Sequence, residues 1–183
     1  MTDSTYRELL RSIEEFAEHL PPHERLAHLF GLIAPLLERV EREADEVGDE
    51  PMLSPQEAVR GFRRAAAGEP VDADAIHDSL TTVGLVYSED QDPELHVISQ
   101  SALAAAAWLR LWAGRDLRTE LDDGDDLIPT FAPSVFTQVV DLLAWSRSGQ
   151  VYMFWEDALT HPGPGDLPAA TRELVAMRLE LTA

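Results

Sequence analysis

The sequence predicts an all-α protein: a single compact multi-helix bundle of about seven or eight helices that occupies residues 1–183 as one helical domain. Three observations support this prediction. Apolar residues recur at steps of three and four along most of the chain, which places them on one face of successive helices. Serine, aspartate and proline stand where these patterns begin, and glycine or proline stands where they end. A length of 183 residues is enough to bury a core without disulfides or metals.

The first two helices are separated by Pro21 and Pro22, since proline ends one helix and suits the first turn of the next. The second helix is expected to reach about Glu46. Its last part, residues 41–50, is polar on all sides, and we expect it to fray into a loop.

The third helix has the clearest start signal in the chain. Ser54 is followed by Pro55 and, three residues after the serine, by Glu57, which is the pattern of a capping box with proline at the first helical position. Asp72 or Asp74 begins the fourth helix. Its second half, residues 80–88, is rich in residues that favour strands, so a minor β element stays open there.

The fifth helix begins near Pro93 and ends at Gly114. Its run from Ala104 to Ala107 has small side chains on every side. Small side chains let neighbouring helices approach closely, so we expect this helix to lie at the centre of the bundle.

The last third of the chain contains one ambiguous segment. A sixth helix is predicted from about Pro133 to Ser148, and a final helix from about residue 168 to residue 181. Between them, residues 151–155 fit a buried strand as well as a helix. We favour the helix, because a strand would need residues 80–88 as its partner.

The charge balance is the most unusual feature of the composition. There are 34 acidic residues and 14 basic ones, all of them arginine, which gives a net charge of −20. Phosphate contacts depend on lysine and arginine, so this excess of acid argues against nucleic-acid binding. The same field would attract a basic protein. Arginine without any lysine indicates a GC-rich, bacterial genome.

Two absences from the sequence bear on location. Without cysteine there is no disulfide framework and no thiolate metal site, which fits a reducing compartment. The N-terminal residues do not resemble a signal peptide, and no stretch reaches the roughly 18 apolar residues of a membrane span. We therefore expect a cytoplasmic protein that does not enter the membrane.

No sequence motif for catalysis or for a cofactor is present. G-x-S-x-G, G-x-G-x-x-G and the lysine-containing phosphate loop are missing. His23 and His28 flank a glutamate, but at ~100° per residue they are about 140° apart around a helix and cannot share one ion. Residues 116–126 lack the glycine and glutamate positions of a calcium loop. The sequence predicts no catalytic residue, no metal site and no cofactor.

Half of the net charge lies in two short segments. Residues 41–50 and residues 116–126 each contain six acids and one arginine. In the second segment, the candidate partner-binding acids are Glu120, Asp122, Asp123, Asp125 and Asp126. Trp112 and Arg115 precede it and complete the candidate surface, since tryptophan and arginine are enriched at interface hot spots. Packing in the core is the competing interpretation of Trp112.

The leading functional hypothesis is an acidic all-α interaction protein, an inhibitor or immunity-type protein that binds a basic partner protein. It is not expected to be an enzyme. The first alternative is a helical-bundle enzyme or small-molecule binder with a pocket between helices. The second is a nucleic-acid mimic. The mimic ranks lower because its carboxylates should follow one continuous stripe, whereas the acids here are clustered in two segments.

Overall fold

A computed structural model gives the architecture of most of the chain. It describes residues 3–45, 53–88, 93–115, 117, 135–149 and 166–182. The helices of these ranges are α1 (Asp3–Glu18), α2 (Pro22–Glu43), α3 (Pro55–Ala66), α4 (Ala73–Ser88), α5 (Pro93–Ala113), α6 (Val135–Ser148) and α7 (Asp166–Thr182). No strand occurs in these ranges, and the predicted all-α bundle is confirmed. None of the seven helices is long and apolar enough to cross a membrane.

The prediction of a possible β element at residues 80–88 is wrong, because these residues form the second half of α4. Thr81 and Val83 are buried there. Tertiary packing therefore overrides the modest strand preference of β-branched residues. Residues 151–155, the other possible β element, lie outside the described part of the chain.

Helix α5 is the central element, as its alanine run predicts. Every residue from His96 to Ala102 and from Ala104 to Leu109 is buried. The helix packs against α2, α3, α4 and α6, while α1 and α7 pack against α6 and against each other. One hydrophobic core includes residues of all seven helices.

Three aromatic rings join α5 to α2 and α3. The ring centroids of Phe62 and Trp108 are 4.9 Å apart, with an angle of 64° between the planes. Phe30 stacks on Phe62 at 5.6 Å. The Nε1–H group of Trp108 donates to the carbonyl oxygen of Leu26 at 2.9 Å, so the polar atom of this buried indole has a partner.

The predicted helix ends are confirmed where the capping chemistry is strong. The hydroxyl of Ser54 accepts from the Glu57 N–H at 3.3 Å, and the Glu57 carboxylate accepts from the Ser54 N–H at 3.1 Å. The carboxylate of Asp72 accepts from the N–H three residues later and caps α4. Gly114 and Gly149 end α5 and α6 with φ angles of 63° and 65°, which glycine adopts without steric cost.

Helices α4 and α5 come into close contact at Gly84. Ser99 on α5 donates from Oγ to the carbonyl oxygen of Gly84 at 2.6 Å. A Cβ atom at position 84 would lie 2.5 Å from two side-chain atoms of Leu103 and 3.3 Å from the carbonyl oxygen of Ser99. The backbone oxygen cannot move without moving α5, so this contact requires glycine.

We expect Gly84→Ala to lower the free energy of unfolding by about 1–3 kcal/mol, the usual cost of overpacking. Gly31→Ala is the matched control, because a Cβ at this exposed position of α2 would meet no atom within 4 Å. We expect the control to stabilise the protein by up to about 1 kcal/mol. Urea unfolding measures both, and equal effects would contradict the close contact.

The capping box of α3 should make stability depend on pH. Hydrogen bonds from the backbone and the side chain of Ser54 lower the pKa of Glu57 below its ordinary value of 4.5. A lowered pKa in the folded state means that the stabilisation is complete above the unfolded value and is lost as the pH falls through the folded one. We therefore expect Glu57→Gln to be less stable than the unmodified chain at neutral pH, with a difference that disappears in acid.

Thermal melts at a series of pH values from neutral to acidic test this expectation. Glu38→Gln, which changes an exposed carboxylate in the middle of α2, is the control. A stability difference for Glu57→Gln that stays constant with pH would contradict the role of the carboxylate in the cap.

Candidate functional site

The candidate partner-binding residues fall into three groups. Trp112 is partly buried and packs against the hydrophobic core, which supports its interpretation as a packing residue. Arg115 is exposed just after the end of α5. The acids lie outside the described residues, and their role stays a prediction: Glu120, Asp122, Asp123, Asp125 and Asp126.

Arg115 binds a carboxylate at the start of α4. Its Nη1 and Nη2 groups donate to the two carboxylate oxygens of Asp74 at 2.9 and 2.6 Å, which is the bidentate geometry of arginine–carboxylate pairs. These hydrogen bonds raise the pKa of Arg115 above its ordinary value, and the charge of Asp72 acts in the same direction. Arg115 therefore links the end of α5 to the start of α4, and the carboxylate of Asp74 balances its positive charge.

Segment 41–50 begins as an ordered part of α2. The helix continues to Glu43, so the expectation of a frayed loop is wrong for residues 41–43. The carboxylate of Glu41 accepts from Arg63 at 2.8 Å, and that of Glu43 accepts from Arg39 at 2.6 Å. These ion pairs hold the last turn of α2 in place, whereas the sequence pattern showed only its polarity.

Arginines of the described residues repeatedly pair with carboxylates of the same chain. Six of them lie within 4 Å of such a group: Arg39, Arg42, Arg63, Arg64, Arg115 and Arg147. Pairs that are this exposed contribute little to stability. Each pair cancels one charge of each sign, so the excess of acid is carried by carboxylates outside these pairs, and Glu15 and Glu38 are exposed.

The structure also contains a buried polar pair that the sequence patterns did not predict. Tyr6 on α1 donates its hydroxyl hydrogen to Oδ1 of Asp141 on α6, and both residues are buried. The Tyr6 ring lies 6.4 Å from the ring of Trp145, one turn further along α6. A signal was present in the sequence, since Asp141 is the single charge in an apolar run of α6. The hydrogen bond ties α1 to α6 across the core.

The described histidines are dispersed. His19, His23 and His28 are exposed around the turn from α1 to α2. His77 and His96 are buried in α4 and α5. No group of three or more potential metal ligands occurs in the part of the chain that the structure describes.

Comparisons with known proteins give no match. No family model matches the chain, and neither a curated protein nor a solved structure is significantly similar to it. The function therefore has to be argued from the chemistry of its own residues.

We expect Tyr6→Phe to lower the free energy of unfolding by about 1.5–3 kcal/mol, because a hydrogen bond to a buried carboxylate is lost. Tyr87→Phe is the control, since Tyr87 is partly exposed and the hydroxyl that it would lose accepts a hydrogen bond from the Asp45 N–H at 2.9 Å. The control should lose about 0.5–1.5 kcal/mol. Denaturant unfolding measures the stability of both variants. An equal loss of unfolding free energy in the two would contradict a special contribution of the buried Tyr6–Asp141 hydrogen bond.

Proposed function

We propose that the protein binds a basic partner protein through the acidic segment 116–126, as an inhibitor or immunity-type protein does. The observation that carries this proposal is the density of charge: six acids and one arginine in this segment of a chain with a net charge of −20. A concentrated field of one sign steers an oppositely charged protein, speeds association and disfavours acidic competitors.

The contacts of Arg115 support this choice of segment. The guanidinium is paired with Asp74, so it does not offset the acids that follow it in the sequence. Asp72, which is exposed next to this pair, adds a further carboxylate where the segment leaves α5. Asp72, Asp74 and Arg115 together therefore leave a net negative charge at the start of α4, beside the last residue before the segment.

The other acidic segment, 41–50, is a weaker candidate. Glu41 and Glu43 already bind arginines of the same chain. Hydrogen bonds from Arg39 and Arg42 lower the pKa of Glu43, so this carboxylate is held in its charged, paired form. A partner would have to compete with these internal arginines.

The first experiment captures the partner from a lysate of the source organism on the immobilised full chain and then measures binding with the purified partner. We expect a basic protein whose Kd rises about tenfold or more as the salt concentration is raised tenfold, because salt screens charge pairs at the rim of an interface. An acidic partner, or an affinity that does not change with salt, would contradict the proposal.

Two variants that remove the same amount of charge locate the binding segment. The first neutralises four acids of the segment: Asp122→Asn, Asp123→Asn, Asp125→Asn and Asp126→Asn. The second neutralises four exposed acids of α1 and α2: Glu15→Gln, Glu18→Gln, Glu24→Gln and Glu38→Gln. We expect the first to weaken binding about tenfold or more and the second less than about threefold. Equal losses would assign the binding to net charge and not to segment 116–126.

A further inference from the structure

An open cavity of about 540 Å³ lies where α2, α6 and α7 meet the N-terminal half of α5. Its volume falls within the range of small-molecule sites. Val97 of α5 lines it, whereas Arg115 follows the other end of the same helix, roughly 27 Å away at 1.5 Å per residue. The cavity is therefore separate from the proposed partner-binding segment.

The lining of the cavity combines an apolar surface with charges of both signs. Pro35, Leu36 and Val97 supply the apolar part. Arg39 from α2 and Arg147 from α6 supply two guanidinium groups, and Glu173 from α7 supplies a carboxylate. A ligand that carries only negative charge would meet Glu173, and one that carries only positive charge would meet the two arginines. This lining favours a ligand that has both charges and an apolar group.

Arg147 retains hydrogen-bonding capacity for such a ligand. Its Nη1 and Nη2 groups donate to the two carboxylate oxygens of Glu180 at 3.0 and 3.1 Å. A guanidinium has five N–H donors, so this pair uses two of them and leaves three. The ion pair also holds the long side chain in one orientation beside the cavity.

The buried hydroxyl of Ser146 can accept a further hydrogen bond. Ser101 donates to the carbonyl oxygen of Val97 at 2.5 Å. Ser146 also reaches this carbonyl oxygen, to which it donates at 3.5 Å, and its Oγ lies 2.9 Å from that of Ser101, where either hydroxyl can be the donor. A hydroxyl oxygen has two lone pairs, so the contact with Ser101 uses at most one of them. Ser146 is 3 % exposed and lines the cavity, and its remaining lone pair is available to an N–H group of a ligand.

We infer that this cavity binds a zwitterionic amino acid with an apolar side chain. Arg39 and Arg147 bind its carboxylate, and Ser146 and Glu173 accept hydrogen bonds from its ammonium group. Pro35, Leu36 and Val97 contact its side chain. This small-molecule site is a second function, and it does not depend on the binding of a basic protein.

Isothermal titration calorimetry of the full chain with L-leucine tests the ligand class. We expect saturable binding to one site. N-acetylleucine, which lacks the ammonium group, and leucinamide, which lacks the carboxylate, should each bind about tenfold more weakly or worse. Glycine, which lacks the apolar side chain, should also bind more weakly. No saturation up to the solubility limit of leucine, or equal binding of leucine and N-acetylleucine, would overturn the inference.

Paired variants test the location. Arg39 and Arg42 both bind Glu43, at 2.6 and 2.8 Å, but Arg42 does not line the cavity. We expect Arg39→Gln to weaken leucine binding about tenfold, and the charge-matched Arg42→Gln to leave it unchanged. Ser146→Ala should weaken binding, whereas Ser148→Ala, which removes a hydroxyl bonded to the Trp145 carbonyl oxygen, should not.

Thermal melts of all four variants confirm that they are folded before binding is compared. Because Arg39→Gln and Ser146→Ala alter different helices, a folding defect in one leaves the other as a test. Equal losses in the members of a pair, or no loss in either cavity variant, would overturn the assignment to this cavity.

Discussion

The enclosure of α5 is the constraint on which the rest of the structure depends. Solvent cannot satisfy the polar side chains of a helix that is buried over most of its length, so hydrogen bonds within the protein stabilise them there. Ser99 donates to the carbonyl oxygen of Gly84, and Ser101 donates to that of Val97. The first bond is possible only because glycine lets α4 approach α5 closely.

The absence of lysine shapes the surface in a different way. Arginine forms bidentate bonds with carboxylates and keeps its charge at any relevant pH, so it suits fixed ion pairs between elements. The pairs Arg115–Asp74 and Arg147–Glu180 have this geometry and join residues that are 41 and 33 positions apart in the chain. Each such pair cancels one acid and one arginine and leaves the net charge of −20 unchanged. The excess of acid is therefore carried by carboxylates that lie outside these pairs.

The fold was more predictable from the sequence than the site. Two signals were local in the sequence. The alanine run of α5 indicates a helix at the centre of the bundle, and the cap at Ser54 indicates the start of a helix. The strand preference of the β-branched residues in 80–88 did not decide their structure, because it is smaller than the energy of packing against α5. The bonds Tyr6–Asp141, Arg115–Asp74 and Arg147–Glu180 join residues that are 135, 41 and 33 positions apart in the chain. No periodicity in one segment contains that information.

The buried polar groups can be divided into those that bond only to other groups of the protein and those that also line a cavity. The Ser99–Gly84 bond and the Tyr6–Asp141 bond each join buried groups of two helices. Such bonds fix how the helices pack. Ser146 combines both properties, because it bonds Ser101 and the carbonyl oxygen of Val97 and also lines a cavity that carries charges of both signs. Alanine at this position would lose these bonds between α6 and α5. The hydroxyl can therefore hold α6 against α5 and still accept a hydrogen bond from a ligand in the cavity.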